Sequence, residues 1–273
     1  MMQSQILWPS EVLRPFVHHY WVMQADASLC MELKIMPMGC MKWMFHRGIP
    51  FAINGVFNRS ASICGQYASA ACVGMHGHTD LLFVFFQPYA MKMITGIPSE
   101  HFNESSVGMD ELEMPEFHEL KQQVLEAADN QTAIRCIEQF ILHQLHRRDD
   151  VTYLKQFITL AQAVELHPDL SLSGLADSAC LSERQLRRVF SEYIGLSPKQ
   201  MLRIRRCLAA SRMMQQVEVT DLADIIYQLG FTDHSHLYKE FKLFAGLSPT
   251  DYLGHLQQIR SEHLLAGYRA YHG

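Results

Sequence analysis

Ser182-Glu-Arg-Gln-Leu-Arg-Arg-Val-Phe-Ser-Glu-Tyr-Ile-Gly-Leu-Ser-Pro198 is answered 51 residues later by Asp233-His-Ser-His-Leu-Tyr-Lys-Glu-Phe-Lys-Leu-Phe-Ala-Gly-Leu-Ser-Pro249. Leu186, Phe190, Gly195, Leu196, Ser197 and Pro198 return as Leu237, Phe241, Gly246, Leu247, Ser248 and Pro249. Six identities at one offset mark a duplicated unit. In each copy the apolar residues Leu186, Phe190 and Tyr193, or Leu237, Phe241 and Phe244, fall at i, i+4 and i+7, one helical face that has to be buried. Gly195 and Gly246 suit the left-handed turn that ends a helix. The Ser-Pro pair after each restarts one, with Ser as N-cap and Pro at the first helical position, where a missing N–H costs nothing.

A shorter amphipathic segment precedes each unit. Its apolar positions are Leu172, Leu175, Ala176 and Ala179 in the first copy, and Leu222, Ile225, Ile226 and Leu229 in the second. Brief connectors, Cys180-Leu181 and Gly230-Phe231-Thr232-Asp233, complete two tandem helix-turn-helix patterns. Three sets of residues carry a resemblance. The first copy has Leu181-Ser182-x-Arg184-x-Leu186-x-Arg188-x-Phe190 with Gly195-x-Ser197-Pro198. The connection has Arg206-x-x-x-Ala210-x-x-Met213-Met214. The second copy has Gly230-Phe231-x-Asp233-x-Ser235-His236-Leu237-x-x-x-Phe241-Lys242-x-x-x-Gly246-x-Ser248-Pro249-x-x-Tyr252. Over residues 165 to 256 the chain resembles the DNA-binding domain of the AraC/XylS family of bacterial transcription regulators. The resemblance implies an all-α, homeodomain-like unit and double-stranded DNA as partner, with RNA polymerase as a further partner for an activator. Ile226 departs from the small Ala usual in the family where the two helices cross, and a larger side chain there is expected to open the second motif slightly.

The face left over by the buried residues is the reading face. Arg184, Arg187 and Arg188 lie at i, i+3 and i+4 on the helix that a helix-turn-helix lays in the major groove. Arg pairs there with guanine, and Gln185 is placed to reach adenine. The candidate DNA contacts are Ser182, Glu183, Arg184, Gln185, Arg187, Arg188, Lys199 and Arg205 in the first half, and His234, Ser235, His236, Tyr238, Lys239 and Lys242 in the second. The second set is the less charged and suits phosphate contact. From Arg184 through Arg212 eight basic residues face the single acid Glu192. A lone cluster of this kind is ordinarily a solvated helix surface; the surrounding motif favours polyanion contact. Ser197 to Gln216 reads as one connecting helix about 30 Å long at ~1.5 Å per residue. That approaches the ~34 Å turn of B-DNA, so a stiff connector would set both reading helices on one face of the duplex.

Working outward, residues 166 to 273 hold 12 Lys and Arg against 11 Asp and Glu, while the first 165 hold 11 against 17. The acidic half is not expected to touch DNA. The chain's 273 residues provide two cores. Its opening octet is soon broken by Pro9 and Glu11, and its longest apolar run, Leu81 to Phe86, is too short to span a bilayer. These features lead us to expect a cytoplasmic protein with no membrane partner. Seven cysteines without a C-x-x-C pair read as reduced and mostly buried.

Residues 1 to about 110 read as strands separated by Gly and Pro: 16–23, 31–36, 41–45, 62–64 and 81–86. Short strands at this spacing suggest a barrel or a sandwich. Leu13-Arg-Pro-Phe16, Tyr20-Trp21, Phe86-x-Pro88, Gly96-x-Pro98 and Phe102 resemble the N-terminal cupin-like sensor domain of some AraC-type regulators. A small-molecule effector inside such a barrel would be lined by Trp21, Met36, Trp43, Phe45 and Phe85, residues that would otherwise be ordinary core. His18-His19 and His76-Gly-His78 resemble the histidine pairs of metal-binding cupins, but no Glu stands at the companion spacing. They read as exposed loop histidines, and neither a metal nor another cofactor is expected. From Pro115 to Leu166 the period becomes helical, as a hairpin that packs on the β unit or forms a homodimer interface.

The fold class expected is α+β with two domains. Residues 1–165 form a mostly-β cupin-like barrel with helices from about 115 to 165, for sensing or dimerisation. Residues 166–257 form the tandem helix-turn-helix domain, and residues 258–273 a helical tail. The function expected is a sequence-specific DNA-binding regulator. Two alternatives are an N-terminal half that only oligomerises, and a cupin enzyme with an accessory helical domain. No nucleophile motif, acid–base pair or phosphate-binding loop supports the enzyme, and no catalytic residue is assigned.

Overall fold

The computed structural model describes residues 2–25, 30–148, 153–215 and 222–260. Among the described residues ten strands build two antiparallel sheets. They are β1 (Met2–Leu7), β2 (Val17–Ala25), β3 (Cys30–Ile35), β4 (Lys42–His46), β5 (Ala52–Ile53), β6 (Val56–Phe57), β7 (Ala61–Cys64), β8 (Ala71–His76), β9 (Thr79–Phe86) and β10 (Ser106–Gly108). One sheet has the order β1-β2-β9-β4-β7-β10 and the other β3-β8-β5-β6. The two ladders are hydrogen-bonded separately, so the pairing is that of two facing sheets rather than one closed barrel.

Strand alternation decides what each side chain meets. On β9, Leu81, Phe83 and Phe85 enter the core between the sheets with Met23, Met44, Ile53, Val73 and Met75. Leu82, Val84 and Phe86 point to the opposite face with Trp43 and Phe45. There they meet the helical hairpin of α2 (Pro115–Leu125) and α3 (Asn130–His146), after the short α1 (Ala90–Thr95). Trp43 packs edge-on against Phe117 at 5.4 Å and Phe140 at 5.8 Å. Both faces of the central sheet are covered, which is why β9 is apolar at almost every position. The hairpin lies on the sheet, the first of the two placements its periodicity allowed.

β1, β5, β6, β8 and β10 were not among the expected strands. β1 is a polar edge strand, and β8 alternates buried Ala71, Val73 and Met75 around Gly74. His18 and His19 lie within β2 and not in a loop; His19 is fully buried and its ring stacks on Phe85 at 4.5 Å. Among the described residues no group of three or more His, Cys, Asp or Glu could hold a metal, and no helix is long and apolar enough to cross a membrane. Of the described cysteines, Cys40, Cys64 and Cys207 are buried, Cys136 is half-buried, and Cys72 and Cys180 are exposed, so burial is less general than composition suggested.

The described elements of the C-terminal half are helices: α4 (Leu154–Leu166), α5 (Leu172–Ser178), α6 (Glu183–Val189) running into a π-helical turn (Phe190–Ile194), α7 (Pro198–Gln215), α8 (Leu222–Gln228), α9 (His234–Ala245) and α10 (Pro249–Arg260). Gly195 and Gly246 take left-handed backbone at φ +87° and +66°. Pro198 and Pro249 open α7 and α10 behind Ser197 and Ser248, whose hydroxyls accept from the amides of Gln200 and Asp251. The core is continuous from Leu13 through Phe157 and Phe190 to Tyr252, so the two halves share packing. α10 reaches Arg260; the rest of the tail lies outside the described residues.

Candidate nucleic-acid interface

Ser182 caps α6 by a reciprocal pair of bonds: its Oγ accepts from the Gln185 amide at 3.3 Å, and Gln185 Oε1 accepts from the Ser182 amide at 2.9 Å. That fixes the helix start. Leu186 and Phe190 are fully buried, and this leaves Arg184, Arg187 and Arg188 exposed on the far side, as the spacing required. Arg187 is tied to Glu183 at 3.0 Å. Gln185 differs from the expectation. Its carbonyl oxygen is committed to the cap, so it lacks the free amide pair that adenine needs.

The second motif is built the same way. Asp233 caps α9 by accepting from the His236 amide at 2.7 Å, and Leu237, Phe241 and Phe244 turn inward. His234, Ser235, Tyr238, Lys239 and Lys242 are exposed. His236 is not free to read: Nδ1 accepts from the Thr232 amide at 3.2 Å, and its ring meets Phe231 edge-on at 5.5 Å. Ile226 is accommodated half-buried against the core, and its carbonyl accepts from the Phe231 amide at 3.0 Å in the turn between α8 and α9.

The largest correction concerns the connecting helix. Lys199 is exposed at its start, but Arg205 is buried, its side chain only 8% exposed, and it pairs with Glu165 at the end of α4 at 2.7 Å. Arg212 binds the same carboxylate at 2.6 Å. Burial alone would raise the Glu165 carboxyl, but the two arginines outweigh it and hold it below the usual range. Arg203 grips Glu240 of α9 through two bonds at 2.7 and 2.6 Å, and Arg206 lies over the Phe231 ring at 5.6 Å. Four of the eight basic residues are therefore engaged inside the protein, joining α4, α7 and α9. Charge order along the chain does not reveal this, because the neutralising acids lie 40 and 47 positions away in one direction and 37 in the other. Arg205→Ala is accordingly expected to leave the salt dependence of DNA binding unchanged. It should lower the melting temperature, through a loss of roughly 1–2 kcal/mol, because Glu165 keeps Arg212. Calorimetry beside titrations at three salt concentrations checks it.

The five candidate effector residues do not converge. Trp43 and Phe45 face the helical hairpin, Phe85 and Trp21 face the opposite side, and Met36 lines a cleft. β-alternation separates Trp43 from Phe85, and a list of aromatics cannot show it. The cleft, about 450 Å³ and partly open to solvent, lies at one end of the space between the sheets, among Met36, Met38, Lys42, Gln66, Tyr67 and Val73.

Residues 175–255 match a helix-turn-helix domain family, and residues 5–108 match a domain of unknown function, DUF6597. An HTH-type transcriptional regulator of Haemophilus influenzae is 32% identical over 84 residues, which is 31% of this chain and 28% of that protein. The HTH-type transcriptional activator RhaS of Escherichia coli is 30% identical over 83 residues, 30% of each. The aligned part thus spans less than a third of these relatives' length. Among solved structures, ToxT from Vibrio cholerae O395 aligns with 93% of this chain and 98% of its own at 10% identity and a TM-score of 0.45. Residues 175–255 thus carry an AraC-type helix-turn-helix domain, similar to those of these transcriptional regulators.

Proposed function

We propose that the chain is a sequence-specific DNA-binding regulator whose reading unit, residues 166–257, contacts two blocks of sequence on one face of the duplex. One observation carries this reading. Arg184, Arg187 and Arg188 of α6 point outward, while Arg203, Arg205 and Arg212 of the connector are paired with Glu240 and Glu165, so exposed positive charge gathers on the reading helix. In this reading Arg184 and Arg188 read bases and Arg187 assists once it leaves Glu183. Ser182, Glu183 and Gln185 order the helix start, and Lys199 meets phosphate. Ser235, Tyr238, Lys239 and Lys242, with His234, grip the second block. At ~1.5 Å per residue, α7 is about 27 Å long, near the spacing of successive major grooves.

The N-terminal half is cupin-like in this proposal, with two facing sheets as support, and takes a small-molecule effector in the cleft beside Met36. Any RNA polymerase contact, and any pairing of two copies, belongs to the same reading, as does a cytoplasmic location. Selection of duplexes from a random pool by the full chain tests it. The expected winners carry two conserved blocks with centres about ten base pairs apart. Recovery of no common sequence would overturn it.

A further inference from the structure

The N-terminal half touches both motifs at the same repeated corner, Gly195 in one and Gly246 in the other, and the two seats are built very differently. At the first, three successive carbonyls at the end of the reading helix are each capped from across the interface. Ser99 Oγ donates to the Tyr193 oxygen at 2.7 Å, Gln66 Nε2 to the Ile194 oxygen at 2.5 Å, and Asn103 Nδ2 to the Gly195 oxygen. Lys92 pairs with Glu192 and lies 4.4 Å from the Tyr193 ring centre, and Ser191 donates to Glu100. The Tyr193 and Phe157 rings are 4.4 Å apart. Carbonyls that helix geometry leaves without partners are satisfied here in a buried, apolar surrounding, which makes the seat costly to open.

The second seat has little of this. Lys34 Nζ reaches the Gly246 oxygen at 3.5 Å, the limit of a hydrogen bond, in an exposed position. A Cβ on Gly246 would lie 3.3 Å from the Ala70 methyl and 3.5 Å from Lys34 Cδ. A cation at a solvated helix C-terminus is a weak, salt-screened contact.

We propose that the N-terminal half is fastened to the first motif and only latched to the second, the latch being the seat of the Gly246 corner on Lys34 and Ala70, and that engaging a two-block duplex lifts that corner. The proposal rests on the DNA-reading function above. Phosphates would pull on α9, which carries Lys239 and Lys242 and ends at this corner. The surface it leaves belongs to a half with 17 acidic against 11 basic residues, which favours separation as the duplex approaches. The first seat resists the same pull, so motion concentrates at the weaker one.

Ala70→Trp wedges the latch open. The full chain carrying it is expected to bind the selected two-block duplex about five-fold more tightly, the scale of one weak contact removed. Its affinity for a duplex holding only the first block should be unchanged, which also reports an intact fold. Unchanged or weaker two-block binding overturns the latch. Hydrogen exchange on the unmodified chain is independent of whether the variant folds. Adding the two-block duplex should speed exchange over residues 68–72 and 244–247, and unchanged or slower exchange there overturns the proposal. If the random pool yields no two-block sequence, the DNA-reading function itself fails. If it yields one and neither measurement responds, only the latch fails.

Discussion

Arg188→Ala is expected to cost about 1–3 kcal/mol of affinity for the selected two-block duplex, a five- to 150-fold loss, and far less for a random duplex of the same length. Arg188 is exposed on α6, two residues past buried Leu186, and among the described residues it makes no ion pair. Its guanidinium therefore leaves no carboxylate behind when it enters the groove. Arg187 must first be released from Glu183, so its net contribution is smaller. Titrations on specific and random duplexes at several salt concentrations separate base reading from phosphate contact, because only the latter weakens all sequences alike. Equal losses on both duplexes would remove Arg188 from the readers.

Gly195→Ala should destabilise the folded chain by about 2–5 kcal/mol. A left-handed residue with a Cβ costs ~1–2 kcal/mol, and overpacking adds ~1–3. Here φ is +87°, and the new methyl would meet the Ser99 carbonyl oxygen at 3.0 Å and Asn103 Oδ1 at 2.8 Å. One obstacle is backbone, which cannot swing aside. The repeat supplies the control. Gly246 has nearly the same backbone, φ +66°, but its methyl would face Ala70 at 3.3 Å and the flexible stem of Lys34. Gly246→Ala should cost only the ~1–2 kcal/mol of the left-handed term. Urea midpoints of the two variants compare them directly; equal losses would mean that the Gly195 corner is not wedged against the N-terminal half.

The glycine pair also shows what could be read in advance. The sequence identifies both as helix ends, since the Gly-x-Ser-Pro run has one local explanation, a left-handed stop followed by a capped start. It does not distinguish them, because the difference lies in Ser99, Asn103 and Gln66, more than 90 residues away. The same holds on the sheet. Strands 81–86 and 41–45 are legible from composition, yet whether Trp43 faces Phe85 or Phe117 depends on pairing register.

The amino-acid order by itself determined the duplicated helix-turn-helix pattern, its caps and stops, the inward face of each helix and the outward arginines of α6. All of these rest on interactions within one or two turns of helix. Tertiary structure alone decided that Arg203, Arg205, Arg206 and Arg212 turn inward, that Glu165 and Glu240 receive three of them, and that the acidic half seats both motifs unequally. The physical reason is that a charge is neutralised by whichever group the folded chain brings within a few ångströms, and separation along the sequence does not report that distance.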